Sequence, residues 1–292
     1  MSNTKLVFYA QPSFSGWMPT TIFQSLYDHY KFIYGDYIQL DNNSISYNNN
    51  YGHNTGPHHL IIKNIETEKY KVVTYWDRAY ELLDDKCDWD NSKCIGVYSA
   101  VNAKSHKNII PSSYSTYNTV IETAINNCNK YFFDKKNKTL LFRGYLHGSR
   151  YLIGNLNDYK NIITVEDKRI TYEEYINELN SYLIGLSLNG SAEICNRDME
   201  ILGVGSVLLR PTLKTTDFHN PLVAGVHYVP FDTDNDPKQQ LEIILETHSR
   251  LLKDVDYMMY VAQNGLNWYN SNGSKNGNVL VLSNILNLEE LL

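Results

Sequence analysis

Two arginines, each beside a run of small residues, are the groups in this chain with chemistry to offer. The stretch Leu188-Asn-Gly-Ser-Ala-Glu-Ile-Cys-Asn-Arg-Asp-Met-Glu200 runs into Ile201-Leu-Gly-Val-Gly-Ser-Val-Leu-Leu209 and reads as strand end, turn, helix and buried strand. A turn of Gly190, Ser191 and Ala192 lets backbone N–H groups approach an anion, and the helix after it points its positive end the same way. Arg197 and Glu200 stand three residues apart and so share a helix face, the first suited to a phosphate and the second to ribose hydroxyls. Upstream, Leu140-Leu-Phe-Arg-Gly-Tyr-Leu-His-Gly-Ser-Arg150 is an apolar strand that delivers Arg143 and Gly144 to its carboxyl end, with Ser149 and Arg150 in the Gly-containing turn beyond. Paired guanidinium groups and such turns hold a diphosphate without a metal. The plainer readings stay open: an ordinary capped strand–turn–helix around Gly190, and a surface group or structural ion pair for Arg143.

The elements that must position these groups alternate. Lys5–Ala10 is a β-rich apolar run, and Pro19–Tyr30 has helical spacing with Pro in its first turn. Strand candidates recur at His59–Ile65, Lys71–Tyr75 and Cys94–Val101 after a polar, Asn-rich stretch, and Thr116–Phe133 reads as one long helix. The charged run Asp134-Lys-Lys-Asn-Lys138 marks a boundary, giving a first lobe over residues 1–136 and a second over 137–292, whose last helix packs back on the first lobe. In the second lobe strands are expected at Thr139–Phe142, Ile162–Val165, Leu183–Leu188, Ser206–Leu209 and His227–Pro230. Helices are expected from Ser149 and at Thr171–Tyr182, Glu193–Leu202, Gln239–Lys253, Asp256–Trp268 and Leu280–Leu292. Such alternation predicts a parallel sheet covered on both faces, with ligands beyond the carboxyl ends of its strands.

Composition narrows the function classes. The 292 residues are enough for two lobes, each with its own core. Lys and Arg number 26 against 32 Asp and Glu, a net charge of −6, and no basic run is dense enough to track a nucleic acid. No apolar run has the length of a membrane span, and no apolar targeting segment precedes the first strand, so a cytoplasmic protein is expected. Cys87, Cys94, Cys128 and Cys195 match neither a disulfide framework nor a zinc pattern. Asp232-Thr-Asp-Asn-Asp236 lacks the Gly and distal Glu of a calcium loop and reads as loop and helix cap, so no metal is assigned.

Six segments taken in order resemble one glycosyltransferase family, that of the fungal capsule-associated proteins and the Rumi-type protein O-glucosyl- and O-xylosyltransferases. They are Val72-Val-Thr-Tyr-Trp-Asp77; Gly96-Val-Tyr-Ser-Ala-Val101 with Ile109-Ile-Pro-Ser-Ser113; Phe142-Arg-Gly144; Asn189–Leu209; Val226-His-Tyr-Val-Pro230; and Val261-Ala-Gln-Asn-Gly265. The resemblance implies an α/β, GT-B-like fold of two Rossmann-like lobes, with a nucleotide sugar, a UDP-sugar by expectation, held by the second lobe. It implies that Arg143 and Arg197 bind the donor phosphates, with Gly190, Ser191 and Ala192 as backbone donors, and that Asp77 is the base. Such a base takes the acceptor hydroxyl's proton as it attacks the anomeric carbon opposite the departing nucleotide, and inversion follows. Asp77 also reads as the N-cap of the stretch after it. The expected partners are therefore a nucleotide sugar as co-substrate, with no other cofactor, and a glycan or glycoprotein acceptor. The alternative is a non-catalytic nucleotide- or carbohydrate-binding protein on the same fold. An epimerase is disfavoured, since no Gly-x-Gly-x-x-Gly turn follows the first strand.

Overall fold

The computed structural model describes residues 5–10, 19–41, 58–75, 93–97, 110–111, 119–135, 137–143, 163–166, 170–189, 193–214, 219–233 and 236–292. Along the chain run β1 (Leu6–Ala10), α1 (Pro19–Tyr34), β2 (Ile38–Asp41), β3 (His58–Asn64), β4 (Tyr70–Tyr75), β5 (Lys93–Val97), β6 (Ile110–Pro111), α2 (Thr119–Asn127), β7 (Asn137–Arg143), β8 (Ile163–Glu166), α3 (Tyr172–Asn180), β9 (Tyr182–Leu186), α4 (Asn196–Gly203), β10 (Val207–Pro211), β11 (Val229–Phe231), α5 (Pro237–Leu251), α6 (Val255–Trp268) and α7 (Lys275–Leu286). The chain is α/β and forms two compact units. The first takes Met1–Ser113, Asp217–Pro221 and Lys275–Leu292; the second takes Tyr114–Thr216 and Leu222–Ser274.

The first unit has a six-stranded sheet in the order β2-β1-β3-β4-β5-β6. Only β3 runs against its neighbours; the other pairings are parallel. Leu6 and Phe8 of β1 are fully buried, and α1 turns Ile22, Phe23, Leu26 and Tyr30 inward at helical spacing. Helix α7 packs on α1, where the Tyr30 hydroxyl donates to the Ser283 carbonyl at 3.1 Å and burial pushes that phenol up to about 12. The closing helix differs from the expected Leu280–Leu292. It starts at Lys275 and stops at Leu286, because Asn287 takes a left-handed conformation (φ 42°) that ends a helix, and a 3-10 turn, Leu288–Glu290, follows.

The second unit has a five-stranded, wholly parallel sheet in the order β11-β10-β9-β7-β8. Numbered from β7 as first, this is 2-1-3-4-5, a doubly wound order that reverses between β7 and β9. Strands β9 and β10 are buried at every position, as a parallel sheet covered on both faces requires. Helix α4 lies so close to β9 that a Cβ on Gly185 would stand 2.6 Å from Ile201 Cγ1. Helix α6 approaches the turn before β11 as closely: a Cβ on Gly265 would stand 2.8 Å from the His227 carbonyl oxygen.

Helix α2 also departs from expectation. It ends at Asn127 instead of reaching Phe133, since Asn126-Asn127-Cys128-Asn129 are poor helix formers and the Asn129 carboxamide oxygen accepts the Tyr131 N–H at 3.0 Å. Its apolar face, Ile121, Ala124 and Ile125, is buried, and the helix packs on α3 and α4 of the second unit. The compact units therefore part before α2, whereas the charged run near residue 136 lies inside the second unit.

Candidate functional site

Doubly wound sheets receive ligands outside the carboxyl ends of their strands, at the point where strand order reverses. In the second unit that point lies between the ends of β7 and β9, and Arg143 is the last residue of β7. Its guanidinium makes a two-pronged pair with Glu178 on α3, Nε to Oε2 at 2.6 Å and Nη2 to Oε1 at 2.8 Å. The ion-pair reading of Arg143 is thus realised in the folded chain, and it fixes the plane of the guanidinium.

Arg197 reaches the same place from the first turn of α4. Its Nη2 donates to the Arg143 carbonyl oxygen, and its guanidinium lies over the Phe142 ring, 4.4 Å from the centroid. The two arginines expected to act together are neighbours. Among the described residues neither Nε nor Nη1 of Arg197, both buried, makes a hydrogen bond of good geometry, although the Tyr175 hydroxyl lies near the guanidinium. Buried guanidinium N–H groups without acceptors are uncommon in folded proteins.

Glu200, on the same helix, is buried, and its Oε2 accepts the Tyr175 hydroxyl at 3.0 Å. Burial pushes the Glu200 carboxyl up while Arg197 draws it down; burial and the adjacent Glu200 push the Tyr175 phenol well up. Both groups thus favour their neutral forms more than in water.

The start of α4 is held by charges that sequence reasoning missed. Asp198 Oδ2 accepts the Cys195 N–H at 2.7 Å and pairs with Arg210 Nη1 at 2.9 Å, with the Asp198 side chain 0% and that of Arg210 1% exposed. Arg210 Nη2 donates to the Glu193 carbonyl at 2.8 Å and to Asn189 Oδ1 at 3.4 Å. Glu193 Oε1 in turn accepts the Lys214 N–H at 2.6 Å. Arg210 stands at the carboxyl end of an apolar strand, as Arg143 does, and that same signal in Val207-Leu-Leu-Arg-Pro211 would have found it.

Of the other residues singled out from the sequence, Asp77, Gly144, Ser149, Arg150, Gly190, Ser191 and Ala192 lie outside the described residues, as does the helix expected from Ser149. Asp236 caps α5, accepting the Lys238 N–H at 2.8 Å. His227 precedes β11 rather than lying within it, and its Nδ1 accepts the Val223 N–H at 2.9 Å. Cys128 and Cys195 are free thiols. Among the described residues no group of three His, Cys, Asp or Glu side chains is placed to hold a metal ion, and no helix is long and apolar enough to cross a membrane.

No protein-family model matches the chain, and no curated protein sequence does. Among solved structures the chain is similar to the C-terminal domain of LpcC, a glycosyl transferase group 1 family protein of Francisella tularensis, with a TM-score of 0.33 and 10% identity over 54% of this chain and 94% of that one. It is also similar to the pneumococcal O-GlcNAc transferase GtfA, solved with UDP and GlcNAc, with a TM-score of 0.44 and 11% identity over 74% of this chain and 49% of that one. The chain thus spans about half the length of GtfA. Both likenesses are too slight to carry weight; the geometry of the second unit is what bears on function.

Proposed function

We propose that the chain is a glycosyltransferase of GT-B type, related to the capsule-associated and Rumi-type enzymes, that moves a sugar from a nucleotide diphosphate, a UDP-sugar, to a hydroxyl of a glycan or glycoprotein. The observation that carries this reading is the Arg197 guanidinium at the strand-order reversal. It leans on Phe142, is tied to the Arg143 carbonyl, and keeps two buried N–H donors without a hydrogen bond of good geometry among the described residues. A pyrophosphate oxygen is the acceptor that such donors suit. Arg143, held flat by Glu178, stands beside it. As the bond to the sugar breaks, negative charge grows on the departing diphosphate, and fixed guanidinium groups stabilise it where other enzymes use a metal. In this mechanism Asp77 accepts the proton of the attacking hydroxyl, and the product is inverted at the anomeric carbon.

Melting curves with UDP, GDP, CMP and dTDP test the binding half, since a ligand held by the folded state alone raises the apparent Tm. UDP is expected to raise it for the wild type and not for Arg197→Met; a wild type that responds to none of the four ends the proposal. The catalytic half is tested by Asp77→Asn, expected to abolish sugar transfer with UDP affinity kept. UDP binding in a wild type that transfers no sugar to any glycan acceptor would instead favour the non-catalytic binding protein.

A further inference from the structure

We infer that Arg210 and Asp198 form a buried strut that positions the first turn of α4, and with it Arg197, against the end of β7. The inference rests on the reading of Arg197 as a phosphate ligand. Both side chains of the strut are buried, and they are paired with one another. Their bonds run to the backbone that presents Arg197. Asp198 accepts the Cys195 N–H at the helix start, and Arg210 Nη2 donates to the Glu193 carbonyl and to the Asn189 side-chain oxygen, these being the described residues on either side of positions 190–192. Arg210 Nε adds a bond to the Pro211 carbonyl at 3.1 Å. Below it lies the Tyr228 ring, 5.9 Å from the guanidinium carbon, and the Tyr228 hydroxyl accepts the Leu213 N–H at 3.1 Å. The end of β10, Asn189, Glu193 and the first turn of α4 are thereby joined through one guanidinium.

Charge supports the same role. Asp198 follows Arg197 directly in the first helical turn, where an unpaired carboxylate would repel an incoming phosphate. Arg210 Nη1, 2.9 Å from Asp198 Oδ2, offsets that charge. A buried ion pair is poor evidence of a contribution to stability, because apolar residues of similar volume often replace one at no cost; fixing a register is the better attested use.

That difference supplies the test. The double variant Arg210→Met/Asp198→Leu removes the strut and leaves no unpaired charge, while Arg210→Lys keeps the charge and loses the fork. The double variant is expected to keep a Tm close to the wild type, to exchange the amide hydrogens of residues 193–199 faster with those of α6 unchanged, and to bind UDP about tenfold more weakly in calorimetry. Arg210→Lys should fall between. Wild-type exchange over 193–199 together with wild-type UDP affinity in the double variant overturns the strut. Should the double variant fail to fold, Arg210→Lys decides by the same two readouts. A wild type that does not bind UDP overturns the phosphate reading instead, and exchange over 193–199 still decides whether the strut holds that turn.

Discussion

Lys71 and Asn64 in the first unit are as buried as Arg210 and Asp198 in the second, yet the two sets are satisfied differently. Lys71 donates to the Leu286 carbonyl, to the Asn287 carbonyl at 3.0 Å and to Glu290 Oε2 at 3.0 Å; the Asn64 amide donates to the Leu291 carbonyl at 2.6 Å. All of these acceptors belong to the closing segment, so the two residues tie it to β3 and β4. At the amino end of the second unit's sheet Lys135 does the same, donating to the Asn180 carbonyl and side chain and to the Val204 carbonyl. At the carboxyl end the carboxylate partners are themselves withdrawn from solvent, Glu178 of Arg143 at 25% and Asp198 of Arg210 at 0% exposure against 47% for the Glu290 beside Lys71, and Arg197 is left with N–H groups to spare. A buried ammonium whose N–H groups end on protein acceptors is a tie; the Arg197 guanidinium, with unused donors at the rim of a parallel sheet, is placed for a ligand.

The contrast predicts unequal costs. Asp198→Ala leaves the Arg210 guanidinium buried without a counter-ion and should cost about 3–5 kcal/mol in urea unfolding. Lys71→Met removes a cation but strands only carbonyls and one half-exposed carboxylate, and should cost about 1–3 kcal/mol. A larger loss for Lys71→Met would erase the distinction between the two ends.

The tie made by Lys135 also has a pH signature. Burial lowers its ammonium to about 8, below the ordinary lysine value of roughly 10.4. Between those values the unfolded chain binds more protons than the folded one, so stability rises with pH across that window. Lys135 contributes a gain of up to about 3 kcal/mol there. Lys135→Met should lack that gain, and parallel stability curves of wild type and variant from pH 8 to 10.5 would refute the assignment.

Packing behind the site gives a smaller effect. At Gly265 an added methyl meets the His227 carbonyl oxygen at 2.8 Å and Leu202 Cδ2 at 2.6 Å; a side chain can turn aside, but a backbone oxygen cannot. Gly265→Ala should therefore cost about 1–3 kcal/mol, read as a lowered Tm. The three atoms nearest a methyl at Gly185 all belong to the Ile201 side chain, so Gly185→Ala should cost less.

Much of the second unit was legible in the sequence because its signals are local. The apolar runs of β7, β9 and β10 have the composition of strands buried on both faces, and Thr171-x-x-Glu174 announces the start of α3. What needed the fold was pairing at a distance. The partner of Arg143 lies 35 positions along the chain, on a helix whose face toward β7 no alternation pattern reveals. Alternation implies parallel strands but not their order, so the reversal between β7 and β9, which locates the site, appears only in the sheet. In the sequence α2 looks longer than it is because apolar residues at Phe132 and Phe133 continue the helical spacing, while the Asn-rich run before them stops the helix at Asn127.

The smallest predicted effect separates stability from function in α3, the helix that carries both Tyr175 and Glu178 to the site. Its start is a reciprocal cap: Thr171 Oγ1 accepts the Glu174 N–H at 3.2 Å, and Glu174 Oε2 accepts the Thr171 N–H at 2.8 Å. Thr171→Ala breaks one half of that exchange and should cost about 1 kcal/mol. Glu178 lies in the last turn of the helix, beyond the buried Ile176, and its grip on Arg143 does not depend on how the first turn is satisfied. UDP affinity measured well below the Tm should therefore match the wild type even as the Tm falls. A parallel loss of affinity would mean that the cap, and not the Glu178–Arg143 pair, sets the position of α3 at the carboxyl end of the sheet.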